Sequence, residues 1–341
     1  MKILIFRSGA IGDVLMTTPL VRAVRKNYPN ANITYLCGEW SRKVILNNPN
    51  IDKIISYPDE IIFKRNIIRL FFLILKLRNE KFDIAYVLDK SKWFGLLVKM
   101  AGIPERIGFD RAGEGKYNTK NIKYSGDKHE IDYYLDILKL SDIKPEGKNM
   151  DFFISPKDIS FAKRYLKDKG INGRIIGIAP GGAVNPGESN GLRRWPEERY
   201  IELIDLISEK DHILLFGGKR DKEICERIII GSNHKNIINL AGKFNFSKSA
   251  AIIKFCNKLV THDSGLMHLA VALGVNIVAI FGPTDPKIRL YVTDNGVKII
   301  VSNVKCRPCY MIDGGYNGCT SNKCMQKVSA KSVFNLLNLT S

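Results

Sequence analysis

One stretch leaves this chain few folds to choose from. Val260–Pro286 reads VTHDSGLMHLAVALGVNIVAIFGPTDP. Val275–Phe281 is a continuous apolar run, the pattern of a parallel strand covered on both faces. Lys258–His262 reads as the end of another buried strand. Between them Asp263–Leu273 is a helix, with Asp263 or Ser264 as its N-cap and Gly274 just past its end. In a parallel sheet the corners His262–Gly265 and Gly282–Asp285 both lie at C-terminal strand ends, where open α/β sheets bind ligands. The N–H groups opening the Ser264 helix suit a phosphate or another anion. An ordinary βαβ unit with turn residues is the alternative. Polar residues gather in both corners while the elements between them are almost wholly apolar, which favours a site.

A chain of 341 residues exceeds the usual single core and suits two domains. The repeated strand–helix pattern makes each of them a Rossmann-like parallel sheet with helices on both faces, with the natural site in the cleft between them. The expected division is 1–150, then 151–327, with 328–341 a C-terminal helix. The formal net charge of +19 suits nucleic acid, an anionic membrane or anionic small molecules. The lysines are scattered and no nucleic-acid signature appears, so no nucleic-acid partner is expected. The N-terminus runs straight into Lys2–Arg7 (KILIFR), a first strand and not a secretory signal. Ile61–Leu77 (IIFKRNIIRLFFLILKL) is basic and very apolar, too short in its uninterrupted run to span a bilayer. It reads either as a helix in a membrane interface or as a buried helix with a basic rim.

The cysteines fall into two groups. Cys37, Cys225 and Cys256 stand alone in apolar or helical contexts and read as core thiols. Cys306, Cys309, Cys319 and Cys324 form C-x2-C-x9-C-x4-C. Four thiolates at such spacing can close a tetrahedral shell around a structural zinc, or they can be packed thiols without metal. Neither reading makes them catalytic.

In the first half, Ser8–Asp13 (SGAIGD) is a tight turn between the first strand and a helix over Val14–Lys26. Gly9 and Gly12 lack the spacing of a dinucleotide fingerprint. Asp13 stands where a helix N-terminus favours an ionised carboxylate, able to take a proton from an attacking hydroxyl or merely to cap the helix. Further strands are expected at Asn32–Cys37, Lys53–Tyr57 and Phe82–Leu88, and helices at Trp93–Ala101 and His129–Leu140. Asp110–Gly126 is polar and reads as a loop. Its Arg111 and Lys116 suit an anionic acceptor or plain solvation.

In the second half, Ile175–Ala179 is a strand ending on Pro180–Gly181–Gly182. Arg193–Arg194–Trp195–Pro196 opens a helix and offers two guanidinium forks to a phosphate, or a solvated turn anchored by Trp195. Ile213–Phe216 is a strand. Glu223 lies in the first turn of the following helix, where it can meet ribose hydroxyls or simply favour the helix start.

These pieces, in order, resemble the heptosyltransferases of glycosyltransferase family 9: KILIFRSGAIGDVLMTTPLVRAVRKNYP, APGG with RRWPEERY, LLFGGKRDKE, and THDSGLMHLAVALGVNIVAIFGPTDP. The resemblance implies the two-domain GT-B fold. It implies inverting, metal-independent transfer of heptose from ADP-heptose to the lipopolysaccharide inner core, at the cytoplasmic face of the inner membrane. No cofactor is required, and peripheral contact with an anionic membrane is expected. The resemblance makes Asp13 the base. Arg193 stands where the family commonly has lysine facing the diphosphate, and Glu223 stands near the donor ribose. Asp263, Ser264, Gly265 and His268 follow the D-[ST]-G-x-x-H pattern beside the donor. With Gly182, Thr261, Gly282, Thr284 and Asp285 these make the expected donor set. Arg7, Gly12, Arg111 and Lys116 make the acceptor set. Two other functions fit the same motifs: a family member with another nucleotide sugar or surface-glycan acceptor, or a non-catalytic binding protein that kept the fold.

Overall fold

The structure is a computed structural model. It describes residues 1–339 except 64–65, 183, 186–187, 190, 293–295, 311–318 and 320. Two compact units divide after Phe153. Each is built on a six-stranded sheet whose pairings are all parallel.

The first sheet comprises β1 (Lys2–Phe6), β2 (Asn32–Gly38), β3 (Lys53–Tyr57), β4 (Ile84–Val87), β5 (Glu105–Asp110) and β6 (Lys120–Lys123), in the order β3-β2-β1-β4-β5-β6. Its helices are α1 (Ile11–Leu15), α2 (Thr18–Asn27), α3 (Glu39–Arg42), α4 (Glu60–Phe63), α5 (Ile67–Glu80), α6 (Lys92–Met100) and α7 (Glu130–Ile137). β1 is apolar at every position but its first because both faces are covered. Leu4 and Phe6 meet Leu73, Ile74 and Leu77 of α5 and Leu97 and Val98 of α6.

The second sheet comprises β7 (Ile175–Ala179), β10 (His212–Leu215), β11 (Ile237–Asn239), β12 (Lys258–His262), β13 (Asn276–Phe281) and β14 (Val297–Val301), in the order β11-β10-β7-β12-β13-β14. A small ribbon of β8 (Val184–Asn185) and β9 (Glu188–Ser189) lies outside it. The helices are α8 (Pro156–Asp168), α9 (Glu197–Leu206), α10 (Lys222–Gly231), α11 (Phe246–Ile253), α12 (Gly265–Ala272), α13 (Pro286–Arg289), α14 (Lys323–Gln326) and α15 (Ala330–Asn338). Trp195 is buried edge-on to Tyr200, 4.7 Å between centroids, and donates its indole N–H to the Val328 carbonyl at 3.0 Å. Val333 and Leu337 bring α15 into the same core.

Counted along each six-stranded sheet, the two strand orders are identical, 3-2-1-4-5-6. This is the doubly wound Rossmann order, and each sheet changes winding direction between its first and fourth strands. These switch points are β1/β4 and β7/β12.

Three expectations change. The helix expected over Val14–Lys26 is broken into α1 and α2. Thr17 and Thr18 donate their hydroxyls to the Val14 and Leu15 carbonyls, both at 2.7 Å, and Pro19 has no N–H to continue the ladder. Asp110–Gly126 is not all loop, because Lys120–Lys123 forms edge strand β6 against β5. An edge strand pairs on one side only and keeps its polar residues in water, so its pattern reads as loop. The segment Ile61–Leu77 becomes two helices, α4 and α5, with Lys64 and Arg65 outside the described residues. No helix among the described residues is long and apolar enough to cross a membrane.

Candidate functional site

The first switch point gathers charge where β1 and β4 end. Arg7 follows β1. Its Nε donates to the Tyr134 hydroxyl at 3.0 Å, its Nη1 pairs with Asp89, and its Nη2 lies 3.3 Å from Asp13. Asp89 stands just past β4 and is buried; Ser8 donates to it from its N–H at 2.7 Å and its hydroxyl at 3.0 Å. Burial pushes the Asp89 carboxyl above its usual range despite the pull of Arg7 and Ser8. Burial also opposes the Arg7 charge, but Tyr134, Asp13 and Asp89 together raise its pKa further. Beside them buried Glu130 pairs with Lys90 at 2.6 Å and accepts from the Tyr124 hydroxyl at 2.7 Å. Burial raises the Glu130 carboxyl, and Lys90 outweighs it to leave the net shift downward.

Asp13 itself is held at the start of α1. Its Oδ2 accepts from the Ala10 N–H at 3.1 Å, so it does cap the helix, while its side chain stays 26% exposed. Gly9 makes the turn possible, with φ +105° and a site where an added Cβ would lie 2.9 Å from Asp13 Oδ2. Gly12 is buried within α1. Arg111 is spent on Glu114 at 2.9 Å, and the Lys116 ammonium lies 4.8 Å from the centre of the Tyr117 ring.

The second switch point is built from the ends of β7 and β12. Asp263 follows β12 and is only 4% exposed, with Arg193 Nη1 at 3.4 Å. Burial raises its carboxyl, but Arg193, Arg289 and His268 pull it below the usual range. Thr284, in the turn after β13, is buried against the same carboxylate. His268 is buried one turn into α12. Ser264 is the N-cap of α12 but makes no side-chain cap; its hydroxyl instead lies 3.3 Å from that of Thr261. The helix start is therefore not closed by its own cap side chain, and Gly265 gives its first turn no bulk. Burial, then Arg193, pushes the His262 imidazole down to about 3. Its Nδ1 lies 3.2 Å from the Tyr200 hydroxyl.

The two adjacent arginines do different work. Arg193 faces Asp263, whereas Arg194 donates twice to the Gly182 carbonyl, at 2.9 and 2.7 Å. Asp221 accepts from the Gly182 N–H at 2.9 Å and the Gly218 N–H at 2.8 Å, tying the ends of β7 and β10 together. It is this buried Asp221, and not Glu223, that occupies the corner after β10. The Glu223 side chain is 84% exposed and pairs with Arg227 at 2.7 Å. Two further members of the expected donor set serve the fold. Asp285 caps α13 through the Lys287 N–H at 2.9 Å. Gly282 admits α14, since an added Cβ would meet Met325 Sδ at 2.5 Å. Its carbonyl also accepts from Arg307.

Sequence reasoning missed Asp89, Tyr134, Asp221 and Arg289. Asp89 had a signal, as the first polar residue after the apolar strand IAYVL. Tyr134 had none, lying on a helix far along the chain. Among the lone cysteines, Cys37, Cys225 and Cys256 are buried, as core thiols should be. Among the described residues no three His, Cys, Asp or Glu side chains are arranged to hold a metal ion, Cys306, Cys309, Cys319 and Cys324 included.

Comparison with known proteins then connects this geometry to a family. The model of glycosyltransferase family 9 (heptosyltransferase) matches residues 71–314. Lipooligosaccharide heptosyltransferase 2 of Haemophilus ducreyi is 29% identical over 311 residues, covering 84% of both chains. Among solved structures, the ADP-heptose lps heptosyltransferase II of E. coli superposes with a TM-score of 0.78 at 25% identity, over 99% of this chain and 98% of that one. A glycosyltransferase family 9 protein from Veillonella parvula gives a TM-score of 0.82 at 25% identity, over 98% and 95%.

Proposed function

This chain belongs to glycosyltransferase family 9 and has its two-sheet GT-B fold, and we propose that it moves heptose from ADP-heptose to a hydroxyl of the lipopolysaccharide inner core. The names of its relatives support the donor and the acceptor class. The observation that carries the chemistry is a pair of arginine–aspartate corners, one at each sheet's switch point, with Asp13 partly open and Asp263 buried.

In this reading the second domain, from about residue 151, binds the donor. The diphosphate lies against the N-terminus of α12, where aligned N–H groups favour negative charge. Arg193 neutralises the charge that grows on the leaving ADP. Asp263 holds the guanidinium in place, with Thr284 and His268 packed around it. Gly182, Thr261, Ser264 and Gly265 shape the backbone on which the diphosphate rests. Glu223 would reach the ribose only by leaving Arg227.

The first domain takes the acceptor, with Asp13 as base and Arg7 and Gly12 beside it; Arg111 and Lys116 would serve the acceptor only by leaving Glu114 and Tyr117. Asp13 accepts the hydroxyl proton as the oxygen attacks the anomeric carbon from the face opposite ADP. The new C–O bond forms as the bond to the diphosphate breaks, which inverts the centre in one displacement. Charge neutralisation falls to Arg193 in place of a divalent ion, so transfer persists in EDTA. The acceptor is membrane-held, and the reading carries the enzyme to the cytoplasmic face of the inner membrane as a peripheral protein.

A donor screen tests this. The protein is mixed with ADP-heptose, other ADP-sugars, GDP-sugars and UDP-sugars, with and without truncated lipopolysaccharide core, and product is followed by mass spectrometry. Transfer from ADP-heptose is expected, falling by about 10²–10⁴-fold in Asp13→Asn. Transfer only from another donor moves the substrate within the family. Failure to bind any nucleotide sugar sinks the catalytic reading.

A further inference from the structure

α5 has two apolar faces, and the sheet covers only one. Leu73, Ile74 and Leu77 are buried against the first sheet. Ile67, Ile68, Phe71, Phe72 and Leu75 are exposed, Ile67 at 78% and Phe72 at 62%. At 3.6 residues per turn these five positions share one arc of about 140°, away from the buried arc. α6 packs beside α5 in the same helical layer. It adds exposed Trp93, at 57%, and exposed Met100, seven residues apart and so on one side of the helix. A patch of this kind on a folded protein marks a contact surface.

The charges around the patch select its occupant. Arg69, Lys76 and Arg78 of α5 and Lys92 and Lys99 of α6 are all exposed. Glu80 is the lone carboxylate on either helix, and it pairs with Lys53. Large aliphatic and aromatic side chains flanked by lysine and arginine, with Trp at one end, match an anionic bilayer surface: the rings enter the headgroup boundary and the cations meet phosphate. We propose that the α5–α6 face is a docking surface for anionic lipid membrane.

The placement also suits the acceptor. Crossover helices between parallel strands run back against them, so both helices begin at the sheet edge where the strands end. Trp93 lies four positions beyond Asp89, and Asp89 holds the arginine that faces Asp13. Seating this face on a bilayer brings the Asp13 edge to the membrane surface. That consequence rests on the function proposed above; the docking itself does not.

Sedimentation of the full-length protein with phosphatidylcholine vesicles, and with vesicles also containing phosphatidylglycerol, tests the surface. Binding is expected only to the anionic vesicles, weakened by salt, with a blue shift of Trp fluorescence that is lost in Trp93→Phe. The double variant Phe71→Ser/Phe72→Ser is expected to lose at least tenfold in partitioning with its melting temperature kept. The charge variant Lys76→Glu/Lys99→Glu is expected to lose a similar amount, which separates docking from any packing defect. Equal partitioning of both variants and the parent, or no binding to anionic vesicles, overturns the proposal. A dimer that dissociates in Phe71→Ser/Phe72→Ser also overturns it, because a second copy then covers the face. Transfer to a delipidated, water-soluble core is expected to be unchanged in the Phe variant, while transfer to a vesicle-embedded acceptor falls. Vesicle binding without any sugar transfer removes the function and leaves the surface standing.

Discussion

The Asp13 corner and the Asp263 corner start from the same parts and end with opposite character. Each lies where a doubly wound sheet reverses, and each sets an arginine against an aspartate. At the first, Arg7 is shared between Asp13 and Asp89, with Glu130 nearby and Lys90 largely taken by it. Carboxylates outnumber the cations there, with Asp13, Asp89 and Glu130 against Arg7 and Lys90. At the second, one buried Asp263 faces Arg193 with Arg289 and His268 close by. Positive charge is in excess there, which under the proposed function is what a diphosphate would balance. One fold used twice thus gives two arginine–aspartate corners of different charge balance, and the difference comes from which charged residues stand behind each pair.

The largest effect that separates the corners is a split in kinetics. Asp13→Asn is expected to lower kcat and leave ADP binding as it was. Arg193→Ala is expected to lower kcat by about 10²-fold and to weaken ADP as well, with Arg193→Lys recovering part of both. Calorimetric ADP affinity measured beside steady-state kinetics decides; loss of ADP binding in Asp13→Asn would merge the two roles and end the comparison.

A middle-sized effect sharpens the first corner. In Asp89→Asn, Arg7 gives its charge to Asp13 alone, which weakens Asp13 as a base. The acid limb of the kcat–pH profile is expected to move to lower pH, because a neighbouring negative charge is lost, with kcat reduced on the plateau and KM for donor unchanged. Asp89→Glu should return the limb toward its place. A profile that keeps its limb while kcat falls means that Asp89 only supports the fold.

The smallest effect belongs to stability beneath the second corner. His262 is neutral when folded, its pKa pushed down to about 3, whereas unfolded it protonates near the ordinary histidine value of about 6.5. Its lowered folded value means that its contribution is whole above about pH 6.5 and shrinks as pH falls toward 3, by about 1.4 kcal/mol per unit. Denaturant unfolding of the ligand-free protein from pH 7 to 4 should show a shallower acid-side loss in His262→Asn than in the parent. Parallel curves would mean that His262 protonates in the folded state as readily as in the unfolded one.

Much of this architecture follows from local sequence alone. A parallel strand buried on both faces must be apolar along its length, so Lys258–His262 and the run ending at Phe281 declare themselves. Corners between such strands must hold the polar and glycine residues, which is why Asp13, Asp263, Ser264 and Gly182 could be picked out one by one. Edge strand β6 escaped because only one of its sides is paired, and the α1–α2 break escaped because it depends on two threonine hydroxyls competing with the helix ladder.

The tertiary structure decided which charges meet. Asp89 is remote from Arg7 in the chain, and parallel pairing of β1 with β4 sets them side by side. Tyr134 reaches the same guanidinium from α7. The same logic turned Arg194 onto Gly182, put Asp221 and not Glu223 in its corner, and left one apolar face of α5 exposed. Sequence determined the elements and their sites because backbone geometry and burial act over a few residues. Partner choice was left to the fold because an ion pair depends on distance in space, which spacing along the chain does not record.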